Sequence, residues 1–422
     1  ATGFWTVMAS GSWTGEKGGP LGTVPTHFGA WEKAELGWLD AEEISVAGGP
    51  FEYAVQLDRS GHRGLKPQGL KINLQKEVET IKVASAVDGE SFIYSQKGDD
   101  LDNRLETKVD LKNVTEATLS FMTMFEIEDD FDYAYVEVLG EDGVFRSIAG
   151  SITRDTNPNG SNLGFGITGK SNGLVEAKFD LTPFVGREIS LRFRYVTDGA
   201  AQELGFVVDK VVVNSGETVL FSDSFEDVSL PKWINSGFLA LKGGTYTKEY
   251  ERYYVVEWRT HYGYDRALGA AYNLHPALDG GHPKFADFFS MEPGLLVWYR
   301  NGKYASGENH PGKNPGEGFL LVVDAHPESM LDSEGKPLRT RVQLRDAAFG
   351  PKDLDPMTLT DPNGQSITVG NVNANAAFND ARSYYKESDP DNSVKTPTFG
   401  LRIAVENVSF DGSAVQLRVS AD

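Results

Sequence analysis

The sequence predicts a mainly β protein that contains a β-sandwich or jelly-roll domain, a second β-rich domain and a short helical segment ahead of both. Many short runs alternate apolar with polar residues, as half-buried strands do. Turns rich in Gly, Asn and Asp separate these runs. A convincing helical period occurs once, near the start. The length of 422 residues accommodates two or three domains, each large enough to bury a core.

The helical segment lies within residues 1–42. Phe28, Trp31, Ala34 and Trp38 recur at spacings of 3, 3 and 4, which predicts an amphipathic helix from Thr26 to Leu39. Such a helix needs an apolar partner, and the rest of the chain offers few helices of this kind. This region therefore differs from the strand-rich sequence that follows it.

The β-sandwich is predicted for residues 43–222, with its core at 77–222. Residues 105–111 and 189–195 alternate between apolar and polar side chains, as strands with one solvated face do. Residues 119–125 and 206–213 carry apolar side chains on both faces, which is typical of central strands. Short strands at this spacing favour a sandwich or jelly roll.

Residues 223–422 are predicted to form the second β-rich domain. Its strand-like runs are separated by long loops of Pro, Gly, Asn and Asp, and they lie at 253–258, 295–299, 319–323, 341–344, 400–405 and 414–419.

The composition excludes several classes of function. Asp and Glu number 61 against 40 Lys and Arg, a formal charge of −21, so neither nucleic acid nor an anionic membrane is an expected partner. The absence of Cys removes disulfides, thiolate zinc sites and Cys nucleophiles. No apolar run is long enough to span a bilayer. The first residues include neither an initiator Met nor a signal peptide, so we expect a processed or partial chain.

The acidic residues cluster, which points to a cation. Five carboxylates fall within the seven residues 126–132, and Ca²⁺ takes six to eight oxygen ligands from loops of this kind. We predict that Asp129, Asp130 and Asp132 bind structural calcium, with Asp99 of the 98–103 segment supplying a further oxygen. The alternatives are a solvated acidic loop and a plain turn.

Asp209 is a separate candidate ligand. It stands inside the apolar run 207–213, where a regular strand would place Val207, Val211 and Val213 on its face. A carboxylate on an apolar face needs a partner, because an unpaired buried charge costs several kcal/mol. That partner is either a metal ion or an arginine such as Arg192 or Arg194.

The chain has no motif for zinc hydrolysis. It contains seven His residues, and none forms the His-Glu-x-x-His helix of metallopeptidases. His275, His282 and His310 are expected to lie in surface loops. Trp233, Trp258 and Trp298 would suit a sugar-stacking platform, although core packing explains such aromatic residues more simply. No catalytic residue is assigned.

Several segments in order resemble the immune inhibitor A family of secreted bacterial zinc metallopeptidases. Phe-Trp-Thr-Val-Met-Ala-Ser-Gly-Ser-Trp at 4–13 is similar to that family's Trp-Ser-x-Met-Ser-Gly-Gly-Ser-Trp stretch, with Ala9 in place of a Ser. Pro-Thr-His-Phe at 25–28 and the Trp-bearing helix resemble the close of the catalytic domain. Further similar segments cover most of the remaining chain, at 129–138, 157–173, 192–199, 206–209, 253–259, 293–299, 310–312 and 316–319.

The resemblance implies a jelly-roll domain similar to MAM and carbohydrate-binding modules, and a parent protein that is a secreted zinc endopeptidase. Residues 1–42 would be the C-terminal remnant of the catalytic domain, and Met8 would be the residue of the turn beneath the catalytic zinc. The zinc ligands and the general base would lie upstream of residue 1, so this chain alone is expected to be inactive.

On this basis the implied partners are the catalytic half of the same protein, possibly as a separate nicked chain, and protein substrates or cell-surface glycans. The alternative is a secreted, calcium-stabilised β-sandwich protein that binds carbohydrate or the cell surface, or a component of a surface layer or filament.

Overall fold

The computed structural model describes residues 2–16, 22–46, 49–274, 286–361 and 363–421. The chain divides into two compact units, one formed by 1–78 together with 249–422 and the other by 79–248. We call the first the discontinuous unit and the second the inserted unit. This division differs from the predicted ranges 1–42, 43–222 and 223–422. The first 78 residues fold with the C-terminal region, a connection that no local pattern in the sequence announces.

The strands follow one another along the chain with few helices between them. The first fourteen are β1 (Ala41–Ser45), β2 (Phe51–Asp58), β3 (Gly69–Asn73), β4 (Glu77–Lys82), β5 (Ser91–Tyr94), β6 (Asp102–Asp110), β7 (Thr118–Ile127), β8 (Tyr133–Leu139), β9 (Phe145–Ser147), β10 (Gly169–Lys170), β11 (Val175–Asp180), β12 (Glu188–Val196), β13 (Gly205–Ser215) and β14 (Thr218–Asp223). Those that follow are β15 (Ile234–Ser236), β16 (Leu239–Lys242), β17 (Thr245–Tyr250), β18 (Arg252–Arg259), β19 (Tyr272–Leu274), β20 (Ala286–Phe288), β21 (Gly294–Asn301), β22 (Leu320–Val323), β23 (Met357–Thr360), β24 (Ser366–Val369), β25 (Ala377–Asn379), β26 (Leu401–Val408) and β27 (Ala414–Ala421).

Helical structure is short. Among the residues that the structure describes, the α-helices are α1 (Ala30–Glu35) and α2 (Thr340–Gln343). Segments of 3₁₀ helix lie at Ser10–Trp13, Thr182–Phe184, Gly263–Ala270, Ser306–Glu308, Leu344–Asp346 and Pro390–Asn392. Within the residues described, no helix is long and apolar enough to cross a bilayer.

The inserted unit is a β-sandwich, as predicted. One sheet runs β10-β7-β13-β5-β16, with β11 added beside β7 and β14 beside β13, and the other runs β15-β6-β12-β8-β9. The pairs within both sheets are antiparallel. The runs predicted as strands at 105–111, 119–125, 189–195 and 206–213 lie in β6, β7, β12 and β13.

Aromatic packing holds the two sheets together. Phe121 on β7 stacks on Phe179 and meets Phe193 and Phe206 edge-on, with ring centroids 5.1 to 6.2 Å apart. Ring pairs in this arrangement contribute about 0.5–1.5 kcal/mol beyond the area that they bury. All four rings are at most 1% exposed. The alternating pattern of β12 thus places its apolar side chains, among them Phe193, in one shared core.

In the discontinuous unit, a five-stranded sheet buries both faces of its strands β18, β21 and β22. Its order is β1-β3-β18-β21-β22, and β2-β27-β26-β25 form a separate antiparallel sheet. Leu295, Val297 and Tyr299 on β21 join the core that includes the second sheet. The intervening Leu296 and Trp298 join another core. Burial on both faces explains why this strand reads as a continuous apolar run.

The first residues of the chain pack into the core that contains Leu296 and Trp298. Phe4, Trp5 and Ala30 are at most 1% exposed and pack with Trp298 and Val342. The indole N–H of Trp5 donates to the Leu344 carbonyl at 2.8 Å. Residues 1–42 are therefore part of the discontinuous unit, and not a remnant that lacks a partner within the chain.

Helix α1 is shorter than the predicted helix 26–39 and buries a different face. It ends at Glu35, and Gly37 follows with φ of +69°, a conformation that glycine favours. Its buried residues are Ala30, Glu32 and Lys33. Trp38, which was predicted on the apolar face, is 60% exposed. Polar partners elsewhere in the unit decide which face is buried.

One predicted strand in this unit is wrong. Residues 341–344 form α2 and the start of a 3₁₀ turn instead of a strand. Val342 and Leu344 are buried in the core beside Trp5. An apolar run of four residues does not by itself distinguish a strand from a short helix.

A fully buried charge network connects α1 to β18. Lys33 contacts Glu257 at 2.8 Å, Arg259 contacts Glu257 at 3.0 Å, and Arg259 also contacts Asp265 at 2.7 Å. Ser60 donates to Glu257 at 2.6 Å. We call these five residues the charge network. Its two cations balance its two anions, so each buried charge has an opposite charge in contact.

Candidate metal centre

The predicted acidic run forms the turn between β7 and β8. Strand β12 pairs antiparallel with β8, and Val196 at its end lies opposite Tyr133 at the start of β8. This register brings the residues that follow β12 beside the turn. As a result Asp198 meets the acidic run.

Three carboxylates converge at this point. One oxygen each from Glu128, Asp132 and Asp198 lies within 4.8 Å of the other two. Asp132 is 1% exposed, and its Oδ1 accepts the Asp198 backbone N–H at 2.8 Å. Glu128 Oε2 is buried without a hydrogen-bond partner among the described residues. We call Glu128, Asp132 and Asp198 the acidic centre.

Backbone contacts hold the turn in shape. Asp130 has φ of +67°, and the Asp132 N–H donates to the Glu128 carbonyl at 3.1 Å. The Thr168 hydroxyl donates to the same carbonyl at 3.0 Å and accepts the Asp130 N–H at 3.1 Å. The carboxylates are thus presented by a turn whose backbone polar groups are already paired.

The electrostatics of the acidic centre favour a cation. Burial raises the pKa of Asp132 to about 6, and the neighbouring carboxylates of Asp198, Glu128 and Asp99 add to the rise. Burial and the negative charge of Asp198 also raise the pKa of Glu128. Like charges this close disfavour their common ionised state. A hard cation that takes oxygen ligands would relieve the repulsion, and Ca²⁺ fits a set made only of carboxylates.

The structure places only some of the predicted calcium ligands at the acidic centre. Asp132 belongs to the acidic centre, and Asp99 acts on it through its charge. Asp129 instead forms an ion pair with Arg154 at 2.9 Å. Asp130 serves through its backbone N–H, and its own side chain is not among the three converging groups. Calcium binding by these residues stays a prediction.

Asp209 lies elsewhere on β13, at an irregularity in the strand. The register with β7 shifts between Asp209 and Val212, and Lys210 has φ of +49°. The carboxylate accepts backbone N–H groups from Val87 at 2.6 Å, Asp88 at 3.2 Å and Lys210 at 2.6 Å. Main-chain amides therefore partner this buried group. The shared face predicted for a regular strand is wrong, because the bulge interrupts the alternation.

The two arginines named as alternative partners of Asp209 are paired with other acids. Arg192 contacts Glu137 at 2.5 Å, and Arg194 contacts Asp102 at 2.7 Å.

Sequence reasoning did not select Glu128 and Asp198 as ligands. Glu128 belongs to the quoted acidic run, whereas Asp198 follows a strand and looked like an ordinary turn residue. The signal that would have found Asp198 is the antiparallel pairing of β12 with β8. This pairing depends on two segments more than 50 residues apart.

The remaining candidates have structural explanations. Trp233, Trp258 and Trp298 are at most 7% exposed, so they are core residues and not a sugar-stacking platform. His310 is exposed, as expected of a loop residue. His275 and His282 lie outside the described residues. Met8 is 69% exposed.

The fold and the comparisons with family models define a class of protein: the β-rich domains found in immune inhibitor A-like metallopeptidases. The model of the immune inhibitor A-like MAM domain matches residues 52–243, and that of the immune inhibitor A-like metallopeptidase VEG domain matches residues 247–417. The chain therefore belongs to the immune inhibitor A-like family.

Named relatives support this assignment over nearly the whole chain. The chain is 36% identical to the pre-pro-metalloprotease PrtV of Vibrio cholerae serotype O1 strain M66-2, over 99% of this chain and 43% of that protein. It is 32% identical to immune inhibitor A of Bacillus thuringiensis subsp. alesti, over 98% of this chain and 57% of that protein. The chain thus spans about half the length of these curated relatives. A solved structure of infectious bursal disease virus Gt strain aligns at 15% identity with a TM-score of 0.17, covering 41% of this chain and 40% of that chain, which is too low to inform the fold.

Proposed function

We propose that this chain is the non-catalytic C-terminal part of an extracellular zinc metalloendopeptidase, where it supports the catalytic domain and its protein substrates. Peptide hydrolysis by a zinc enzyme needs a metal-bound water and a base beside it. The chain contains no His-Glu-x-x-His motif. We therefore expect the chain alone to have no peptidase activity.

The observation that carries this proposal is that the first 39 residues contain both deeply buried and strongly exposed apolar side chains. Phe4 and Trp5 are at most 1% exposed in the core of the discontinuous unit. In the same segment, Met8, Trp13 and Trp38 are 69%, 47% and 60% exposed. Large exposed apolar side chains suit a protein contact. One side of the segment is thus fixed to the β-domain, and the other suits the remainder of a catalytic domain.

The test compares two exposed apolar residues in the parent peptidase. We expect Met8→Ser to lower casein hydrolysis by the parent protein severalfold and to leave the melting temperature of this chain alone unchanged. Phe410 is also fully exposed, and Phe410→Ser is the matched control with unchanged hydrolysis. Equal activity in both variants, or hydrolysis by this chain alone after zinc addition, would refute the proposal.

We further propose that the acidic centre binds calcium and thereby stabilises the inserted unit. The residues fit the ion, because three carboxylates converge and one buried oxygen of Glu128 has no hydrogen-bond partner in the described part of the chain. A ligand that binds only the folded state adds stability by mass action, about 2.7 kcal/mol at a hundredfold excess over its dissociation constant.

Removal of calcium tests this role directly. We expect EDTA to lower the melting temperature of the inserted unit, with a larger effect at low salt because screening weakens the repulsion that remains. Readdition of Ca²⁺, and not of the same concentration of Na⁺, should restore it. An unchanged melt in EDTA, with no calcium in the purified protein, would contradict calcium binding.

A further inference from the structure

A second cluster of metal-ligating groups lies in the discontinuous unit, at the end of β22. Asp324 follows that strand directly, and His326 comes two residues later. Asp346 closes the 3₁₀ turn Leu344–Asp346, which the Ala325 N–H holds by donating to the Ala347 carbonyl at 3.1 Å. One ligand atom each from Asp324, His326 and Asp346 lies within 4.8 Å of the other two.

The histidine ring faces two acceptors. Its Nδ1 lies 2.7 Å from the Asp346 carbonyl oxygen, and its Nε2 lies 3.0 Å from the Asn373 carbonyl oxygen. A neutral imidazole donates from only one of its nitrogens, and a carbonyl oxygen donates nothing. One nitrogen therefore directs a lone pair at another lone pair unless a cation occupies that side. The cation is either a second proton or a metal ion.

The two carboxylates distinguish these possibilities. Asp324 and Asp346 are 6% and 2% exposed. Asp324 Oδ1 accepts the His326 backbone N–H at 2.8 Å. Asp346 Oδ1 is buried without a hydrogen-bond partner in the described part of the chain. A second proton on His326 would satisfy the ring and leave this oxygen unpaired, whereas a divalent cation would serve both.

Charged neighbours leave room for such a cation. Arg345 directs Nη2 to Glu292 at 3.1 Å and to the Asp355 carbonyl at 3.2 Å. Arg382 and Asp389 act on Asp324 with opposite signs. Two arginines thus stand against four acids, so the neighbourhood carries an excess of negative charge.

We propose that Asp324, His326 and Asp346 form a second metal site, which takes a divalent transition metal such as Zn²⁺. An imidazole nitrogen with two carboxylates suits Zn²⁺ better than Ca²⁺, which prefers oxygen alone. The ring nitrogen that does not bind the metal keeps its carbonyl contact, the usual way in which a ligating histidine is oriented. The metal would join the end of β22 to the turn after α2, and its role would be structural.

The experiment uses the full chain, which is first stripped of metal with a chelator and then transferred to buffer with excess calcium. Calcium then saturates the acidic centre, so this centre does not contribute to the signal. The protein is titrated with Zn²⁺ and, in parallel, with Co²⁺ as a spectroscopic probe. The variants are His326→Ala, Asp346→Asn and the control His310→Ala, which removes an exposed histidine of the same unit. We expect one Zn²⁺ per wild-type chain, visible Co²⁺ bands and a raised melting temperature.

The variants separate the proposed site from surface binding. His326→Ala and Asp346→Asn should each weaken Zn²⁺ binding at least about tenfold, and His310→Ala should bind as the wild type does. Asp346→Asn keeps the size of the side chain. The test therefore remains valid even if the His326→Ala variant does not fold. Equal binding in wild type and both site variants, or no binding by wild type, would overturn the proposal. If a second proton and not a metal ion bridges the His326 ring to its acceptors, the wild type will bind no Zn²⁺ at this site.

Discussion

The charge network and the acidic centre are both buried polar clusters, but their charges sum differently. The network sets Lys33 and Arg259 against Glu257 and Asp265, all at most 3% exposed. The acidic centre sets three carboxylates against one another. The first cluster is neutral within the chain, whereas the second carries only negative charge when its carboxyl groups are ionised. Burial alone therefore does not show whether a polar cluster is a structural element or a binding site.

The pKa values of the two clusters express this difference. Burial by itself would raise the pKa of Glu257, but Lys33 and Arg259 outweigh it and hold the pKa well below its usual range. Burial raises the pKa of Asp132 to about 6, and the neighbouring acids push it the same way. Removing a negative charge should consequently have opposite effects on stability in the two clusters.

The largest effect is expected from Glu257→Gln. Gln keeps an oxygen for the Ala30 and Trp298 N–H groups, which donate to Glu257 Oε1 at 3.0 and 3.1 Å. It leaves Lys33 and Arg259 without their shared anion, and loss of one partner of a buried pair costs about 3–5 kcal/mol. Urea unfolding of the discontinuous unit measures this loss.

The control for this variant is Glu43→Gln. Glu43 contacts Lys71 at 3.3 Å, and its side chain is 57% exposed. Loss of a solvent-exposed pair costs at most about 1 kcal/mol. If the two variants lose the same stability, the charge network does not depend on its internal balance.

Asp132→Asn should have the opposite sign when calcium is absent. Asn keeps an oxygen to accept the Asp198 N–H and removes one of three repelling charges. Because one unit of pKa corresponds to about 1.4 kcal/mol, we expect the variant to be roughly 1–2 kcal/mol more stable than wild type in EDTA. Calcium should stabilise wild type and not the variant. Thermal unfolding with and without calcium measures both effects, and a destabilised variant in EDTA would contradict the repulsion.

The pH dependence of this difference sharpens the comparison. The pKa of Asp132 in the fold, about 6, lies above its ordinary value of 3.8. The cost of ionising the carboxyl is therefore complete above pH 6, shrinks as the pH falls through this window, and vanishes below about pH 4. We expect the stability of wild type and Asp132→Asn in EDTA to converge over this interval. Curves that stay parallel from pH 7 to pH 4 would show that Asp132 is not the group responsible.

The sequence predicts those parts of this protein that depend on local periodicity. Alternation of apolar and polar residues identifies β6 and β12, and largely apolar runs identify β7, β13 and β21. Burial of one or both faces of a strand produces these patterns in its sequence. The acidic turn at 126–132 is visible for the same reason, since its ligands are close neighbours along the chain.

What the sequence does not reveal depends on contacts between distant segments. Asp198 joins the acidic centre only through the register of β12 on β8. Lys33 can be buried because its ammonium group pairs with the carboxylate of Glu257, which lies more than 200 residues away along the chain. The polar face of α1 is therefore the buried one. The insertion of residues 79–248 into the discontinuous unit is likewise a tertiary fact.

The smallest effect is expected from Asp129→Asn, which tests how the acidic run divides its tasks. Asp129 pairs with Arg154 at 2.9 Å, and their side chains are 60% and 51% exposed. Water and salt screen such a pair, so its loss should change the stability of the inserted unit by less than about 0.5 kcal/mol. Because the side chain is engaged away from the acidic centre, stabilisation by calcium should persist at the wild-type level. Loss of that stabilisation, measured in the same melting experiment as Asp132→Asn, would place Asp129 among the ligands, as the sequence predicts.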